Sequence, residues 1–120
     1  MFSLYNNNMK KKNILKKSYE FNRIINTIKP FRYKYLKFYV ERIEDNNYYF
    51  GFSVGKKIGK AVVRNKIKRQ IKAIIQKNKY KNGFNCIIIV NSSILDRTFQ
   101  EIEKDINDAL KRLDILNNGG

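Results

Sequence analysis

Residues 48–90 read YYFGFSV (48–54), GKKIGK (55–60), AVVRNKIKRQIKAIIQKNK (61–79), YKNGFN (80–85) and CIIIV (86–90). The first piece is short and aromatic, which suits a strand. The second carries Gly55 and Gly59 and reads as a loop. In the third, Val63, Ile67, Ile71 and Ile74 recur at i, i+4, i+8 and i+11, the buried stripe of a helix over 61–79. Gly83 closes that helix. Cys86 to Val90 shows no polar alternation and reads as a strand buried on both faces. Strand, helix and strand in this order predict a βαβ unit with parallel strands.

Toward the N-terminus, residues 35–43 alternate. Leu36, Phe38 and Val40 point one way, and Tyr35, Lys37 and Tyr39 the other. Asp45-Asn46-Asn47 supplies turn chemistry, so 35–43 and 48–54 are predicted to form an antiparallel hairpin. One further short strand is expected near 31–34. Phe21, Ile24, Ile25 and Ile28 give a helix over 18–28, with Ser18 as N-cap and Pro30 as its stop. Toward the C-terminus, Thr98 and Glu101 form a capping box. It opens a helix whose core stripe is Phe99, Ile102, Ile106, Ala109, Leu110 and Leu113. The expected fold is α+β, a two-layer α/β sandwich with a mixed sheet and the order α-β-β-(β)-α-β-α. A length of 120 residues suits one domain. Residues 14–116 form it, with a flexible basic segment at 1–13 and a disordered tail at 117–120.

Charge narrows the function. Lys and Arg number 26 against 10 Asp and Glu, a formal net charge of +16. Residues 46–95 hold eleven Lys/Arg and not one carboxylate, whereas 96–114 hold six acids against four bases. A proteome rich in Lys, Asn and Ile raises such counts, but it does not empty fifty residues of acid. The pattern is the footprint of phosphate neutralisation. The chain has no histidine and a single cysteine, Cys86. That excludes histidine bases, the usual triads, a disulfide framework and cysteine-based zinc sites. No catalytic or metal-ligating residue is assigned. No apolar run approaches the ~18 residues of a membrane span, and the start lacks the apolar core of a signal peptide. A soluble cytoplasmic protein with a nucleic-acid partner, and no membrane partner, is expected.

The basic helix carries the chemistry. Arg64, Lys68 and Lys72 form one row at i, i+4, i+8, and Lys66 and Arg69 another. No acid at i±3 or i±4 relieves their repulsion. Lys56, Lys57 and Lys60 precede the helix, where its free N–H groups also favour anions. Asn65 is neutral and can donate and accept toward phosphate, base or a hydrated metal ion. A solvated basic face is the plain alternative. On 35–39, two tyrosines flank Lys37 on one strand face, a pattern suited to stacking unpaired nucleotides. The plain alternative there is half-buried strand residues.

The run Ser53-Val54-Gly55-Lys56-Lys57-Ile58-Gly59-Lys60-Ala61-Val62-Val63-Arg64-Asn65-Lys66-Ile67-Lys68-Arg69 closely resembles the signature of the bacterial ribonuclease P protein subunit. The resemblance extends from about Lys10 to Leu116. The family motif reads Arg-Asn-Arg; this chain has Arg-Asn-Lys, and Lys66 keeps the charge without the guanidinium fork. The resemblance implies a ribosomal-protein-S5-domain-2-like fold with a left-handed βαβ crossover, against the general right-handed preference. It implies a small basic partner for a large catalytic RNA. Together they remove the 5′ leader of precursor tRNA by hydrolysing one phosphodiester. Catalysis then lies with the RNA, Mg²⁺ acts through the RNA, and the protein alone is inactive, binds no cofactor and needs no protein partner.

Carried over by motif position, the RNA-facing set is Lys56, Lys57, Lys60, Arg64, Asn65, Lys66, Lys68, Arg69 and Lys72. A leader-binding cleft between the first helix and one sheet face draws on Phe21, Ile25 and Tyr39, to which the strand reading adds Tyr35 and Lys37. Many relatives carry an aromatic where this chain has Ile25. Three rival readings remain. A non-catalytic RNA-binding protein, such as a ribosomal protein, shares the composition. A protein-only nuclease lacks a His base or carboxylate cluster here. A DNA reader lacks helix-turn-helix spacing.

Overall fold

The apolar run ending in CIIIV takes the middle of the sheet. In this computed structural model, which describes residues 11–117, the elements are α1 (Ser18–Thr27), β1 (Phe31–Tyr33), β2 (Leu36–Arg42), β3 (Tyr48–Val54), α2 (Ala61–Gln76), β4 (Phe84–Val90) and α3 (Phe99–Leu113). Short 3-10 turns lie at Lys11–Asn13, Lys56–Ile58 and Ser92–Asp96. The strand order is β1-β2-β4-β3. β1 and β2 are antiparallel, β2 and β4 antiparallel, and β3 and β4 parallel. The sheet is mixed, the βαβ unit of 48–90 is present, and the fold is α+β.

The predicted hairpin of 35–43 with 48–54 does not form. Leu36 to Arg42 pair with Val90 to Phe84, and Tyr48 to Val54 run alongside Phe84 to Val90. β4 therefore separates β2 from β3. Every β4 residue except Ile89 is buried, so the central place removes the most apolar surface from water. Gly83 makes the insertion possible. Its N–H donates to the Asn47 carbonyl (2.8 Å) and its carbonyl accepts from Ile43 N–H (3.0 Å). The chain entering β4 is thus wedged between the end of β2 and the start of β3. Gly83 has φ 88°, and a Cβ there would lie 2.8 Å from the Ile43 carbonyl oxygen. It is a wedge rather than the helix stop inferred from sequence.

Element ends differ in smaller ways. α2 stops at Gln76, three residues early, because Tyr80 folds back and its hydroxyl donates to the Ile75 carbonyl (2.6 Å). The N-cap of α1 is Lys17, not Ser18, and it makes no side-chain cap bond. The Thr98–Glu101 capping box is complete in both directions. Of the segment assigned to 1–13, residues 1–10 lie outside the described residues. Residues 11–13 form a turn docked by Asn13, whose amide donates to Asn47 Oδ1 (2.7 Å) and the Tyr48 carbonyl (2.9 Å). Of the tail at 117–120, Asn117 N–H donates to the Lys79 carbonyl (2.8 Å); 118–120 lie outside the described residues.

The two sheet faces are unlike. α2 and α3 cover one, where Phe38, Phe50, Phe84 and Ile88 meet Ile71, Ile74, Ile106 and Leu110. On the other, α1 lies over a single row, Tyr39–Ile87–Gly51, with Ile24 buried against Tyr39 and Ile87. Gly51 permits this close approach: a Cβ there would stand 3.3 Å from the Phe21 ring. Register places Lys37–Ile89–Ser53 on one side of that row and Glu41–Asn85–Tyr49 on the other.

Candidate nucleic-acid interface

α2 packs through Ile67, Ile71, Ile74 and Ile75 and turns its charges outward. Val63, read from sequence as part of the buried stripe, is exposed. It sits in the first turn, beyond the sheet, and packs on Gly59. Asn65, Lys66 and Arg69 are exposed; Arg64, Lys68 and Lys72 are half-buried along the flank. Arg64 Nε donates to the Gly59 carbonyl (3.1 Å), which fixes the start of its guanidinium. Lys72 Nζ lies 5.8 Å over the Phe52 ring. Lys60 is the N-cap and supplies no side-chain acceptor, while Lys56 and Lys57 stand exposed on the turn before it. The helix N-terminus therefore faces solvent uncapped among lysines, a setting that favours anions.

Ion pairs elsewhere sharpen the contrast. Among the described residues they engage Arg23, Lys34, Lys77, Lys81 and Lys104. None engages a cation between Lys56 and Lys72. Like charges at i, i+4 cost a few tenths of a kcal/mol per pair, and here no carboxylate offsets them.

Across the sheet, α1 borders a hollow on the second face. It encloses about 510 Å³ and is lined by Lys12, Lys16, Lys17, Tyr19, Arg23 and Tyr49 among others. Its floor is polar. Arg23 makes a two-pronged bond to Glu41 (2.6 and 2.9 Å), and the Asn85 amide donates to Glu41 (3.0 Å). The Arg23 bond holds the Glu41 carboxyl below the usual carboxylate range, with Asn85 assisting. A second hollow, about 250 Å³, lies at the β1–β2 turn and the end of β4, lined by Arg32, Lys34, Tyr35, Lys37, Ile89 and Asn91 among others, with no carboxylate.

The Ribonuclease P family profile matches residues 9–114. The chain belongs to the ribonuclease P protein family. It is 38% identical over 104 residues to the ribonuclease P protein component of Clostridioides difficile (strain 630), covering 84% of this chain and 91% of that protein. It is 37% identical over 108 residues to the corresponding component of Mycoplasma capricolum, covering 88% and 99%. Among solved structures, the RNase P protein of Staphylococcus aureus superposes with a TM-score of 0.78 at 29% identity, covering 88% of this chain and 98% of that one. The Thermotoga maritima RNase P protein gives 0.74 at 27% identity, covering 82% and 94%. The role is that of a ribonuclease P protein subunit in tRNA processing.

Of the nine residues expected to face RNA, Lys56, Lys57 and Lys60 lie on the turn before α2 and the other six along its first three turns, Lys66 on the flank toward Leu95 and Lys72 on the flank toward Phe52. The leader set does not come together. Tyr35 touches the smaller hollow beside Lys37, but its ring packs into the core of the opposite face: it lies in the β1–β2 turn, 3% exposed, and its hydroxyl donates to Asp105 of α3 (2.9 Å). The alternation assumed a strand through 35, but Lys34 takes a left-handed conformation (φ 56°) and turns the ring away. Tyr39 is on the α1 face but 7% exposed, sealed under Ile24. Phe21 and Ile25 pack half-buried against that same cluster. Lys37 remains at the edge of the second hollow, its Nζ 5.8 Å over the Tyr39 ring.

Sequence reasoning missed Tyr19. It is 61% exposed on the first turn of α1, with Lys17 Nζ 5.7 Å over its ring, at the rim of the larger hollow. The signal was available: an aromatic beside Lys16-Lys17, the pattern read at 35–39. Among the described residues no group of three or more His, Cys, Asp or Glu is placed to hold a metal ion, and no helix is long and apolar enough to cross a membrane. Burial raises the Cys86 thiol well above its ordinary value, so it is no nucleophile.

Proposed function

We infer that this subunit binds a large catalytic RNA through the α2 face and the 5′ leader of precursor tRNA through the α1 face, and so supports endonucleolytic removal of the leader. Hydrolysis is carried out by the RNA with Mg²⁺; the protein supplies binding and charge neutralisation. The observation that carries this reading is the α2 surface, where eight cations from Lys56 to Lys72 have no carboxylate partner among the described residues. Such a surface is complete only against phosphates. The α1 face supports the second half: an exposed ring at Tyr19 with Lys17 over one side of it, and Lys12, Lys16 and Lys17 able to track a single-stranded backbone along a hollow that Glu20 and Asp45 also line.

Capture of the protein from its own cells, with sequencing of the bound RNA, tests the reading. Enrichment of one large non-ribosomal RNA together with 5′-extended tRNAs is expected. Enrichment of ribosomal RNA alone favours the structural-protein alternative and overturns it.

A further inference from the structure

Four large apolar side chains are well exposed among the described residues, and three of them, Val62, Val63 and Leu95, line one notch. It lies where the first two turns of α2 meet the 3-10 turn Ser92–Asp96, and encloses about 260 Å³. Val62 is 78% exposed and Leu95 51%. Single exposed aliphatics are unremarkable, but a cluster marks a contact. Val62 and Leu95 are not needed for the core: the helix already buries four isoleucines, and a β-branched residue such as Val62 is a poorer helix former than the lysines around it.

The rim is charged with one sign. The ionisable residues lining the notch are Lys66 and Arg97, both cationic, and the remaining polar one is Gln70. Arg97 is braced from behind, its guanidinium 5.7 Å over the buried Tyr35 ring. An occupant must be apolar on its faces, able to hydrogen-bond at an edge, and joined to anions on either side. An unpaired nucleobase meets all three conditions, because unstacked RNA bases are splayed onto apolar side chains while their phosphates meet cations.

We propose that this notch receives one unpaired nucleobase of the large RNA bound by α2, with Lys66 and Arg97 on its flanking phosphates and Gln70 at its edge; this rests on the RNA-binding reading of α2. The notch fixes register on an RNA that the lysines alone hold without sequence preference.

The full chain and the large RNA of the same organism serve for the test. Val62→Ala combined with Leu95→Ala truncates two side chains that are more than half exposed, and circular dichroism checks that the fold is retained. Affinity for the RNA falls about tenfold, within the range of one lost base contact, and the salt slope is unchanged because no phosphate contact is lost. Leu95→Cys carrying an iron chelate then cleaves the RNA around one unpaired nucleotide; Cys86, fully buried, escapes labelling. Removing that base from the RNA weakens the parent protein about tenfold and the double variant no further. Full affinity in the double variant, with Lys68→Ala plus Arg69→Ala still weakening binding, overturns the notch and leaves the RNA face standing. Unchanged affinity in both pairs overturns the RNA face itself. Loss of self-association by RNA-free protein, with RNA affinity intact, assigns the notch to a second copy and also overturns the proposal.

Discussion

Asp105 shows how a single carboxylate anchors a turn. It is the buried acid among the described residues, accepting from Lys34 Nζ (2.8 Å) and the Tyr35 hydroxyl (2.9 Å). Burial pushes its carboxyl up, yet the two donors outweigh burial and leave it below the ordinary 3.8. A depressed carboxylate contributes stability that is fully present above its unfolded value and is lost as pH falls through the folded one. Asp105→Ala leaves the Tyr35 hydroxyl buried without its acceptor and costs about 1–3 kcal/mol at pH 7. In urea titrations the gap between parent and variant narrows as pH falls below 3.8; a constant gap would place the effect in packing. The tyrosines carry a second prediction. Tyr19→Ala leaves stability within about 0.5 kcal/mol and narrows the affinity gap between precursor and mature tRNA by about 1–3 kcal/mol, read with leaders of increasing length. Tyr39→Ala costs roughly 3–5 kcal/mol of stability, as other buried aromatics do. A leader effect at Tyr39 with stability intact would reverse these roles. Alternation placed Lys37 and Tyr39 on one face, but it misplaced Tyr35 and did not show which face a second layer seals. That depended on α1, which packs back over the sheet from an earlier part of the chain.

Among the elements, those defined by short-range chemistry were legible. The Thr98–Glu101 box, the α3 stripe and the 3.6-residue period of α2 needed only neighbours within a turn or two. The hairpin was not legible, because the Asp45-Asn46-Asn47 signal is also met by a connection that steps over an intervening strand. Asp45 Oδ1 accepts from Asn47 N–H (2.9 Å) as a turn requires, while Gly83 holds the strand ends apart. Gly83→Ala, strained by its φ and by the Ile43 carbonyl, should cost at least about 1 kcal/mol in chemical denaturation; a neutral effect would remove Gly83 from the account of strand order. α2 gives the opposite expectation. Lys68→Ala with Arg69→Ala leaves the free protein as stable or more so, since repulsion is relieved. It lowers the log–log salt slope of RNA binding by an amount on the order of 0.7–0.9 per lost phosphate contact. Arg64 is the poorer probe because its Nε also ties down Gly59. An unchanged slope with lost stability would make the pair structural.

For the whole molecule, acids and bases are partitioned by element. The carboxylates of α3 meet Lys34, Lys77 and Lys104, and Glu20 and Glu41 meet Arg23. Among the described residues the cations of α2 meet none. Charge counting along the chain made this partition visible, because segments of one sign cannot neutralise themselves wherever they fold. The two proposed RNA-facing surfaces lie on opposite sides of the sheet, so a protein of this size can touch a large RNA with one and a substrate strand with the other. The most direct measurement is cleavage of 5′-extended precursor tRNA by rigorously RNA-free protein, with and without the large RNA of the same organism, in Mg²⁺. The account predicts no cleavage by the protein alone and cleavage at the mature 5′ end once the RNA is added. Metal-dependent hydrolysis by the protein alone would contradict it.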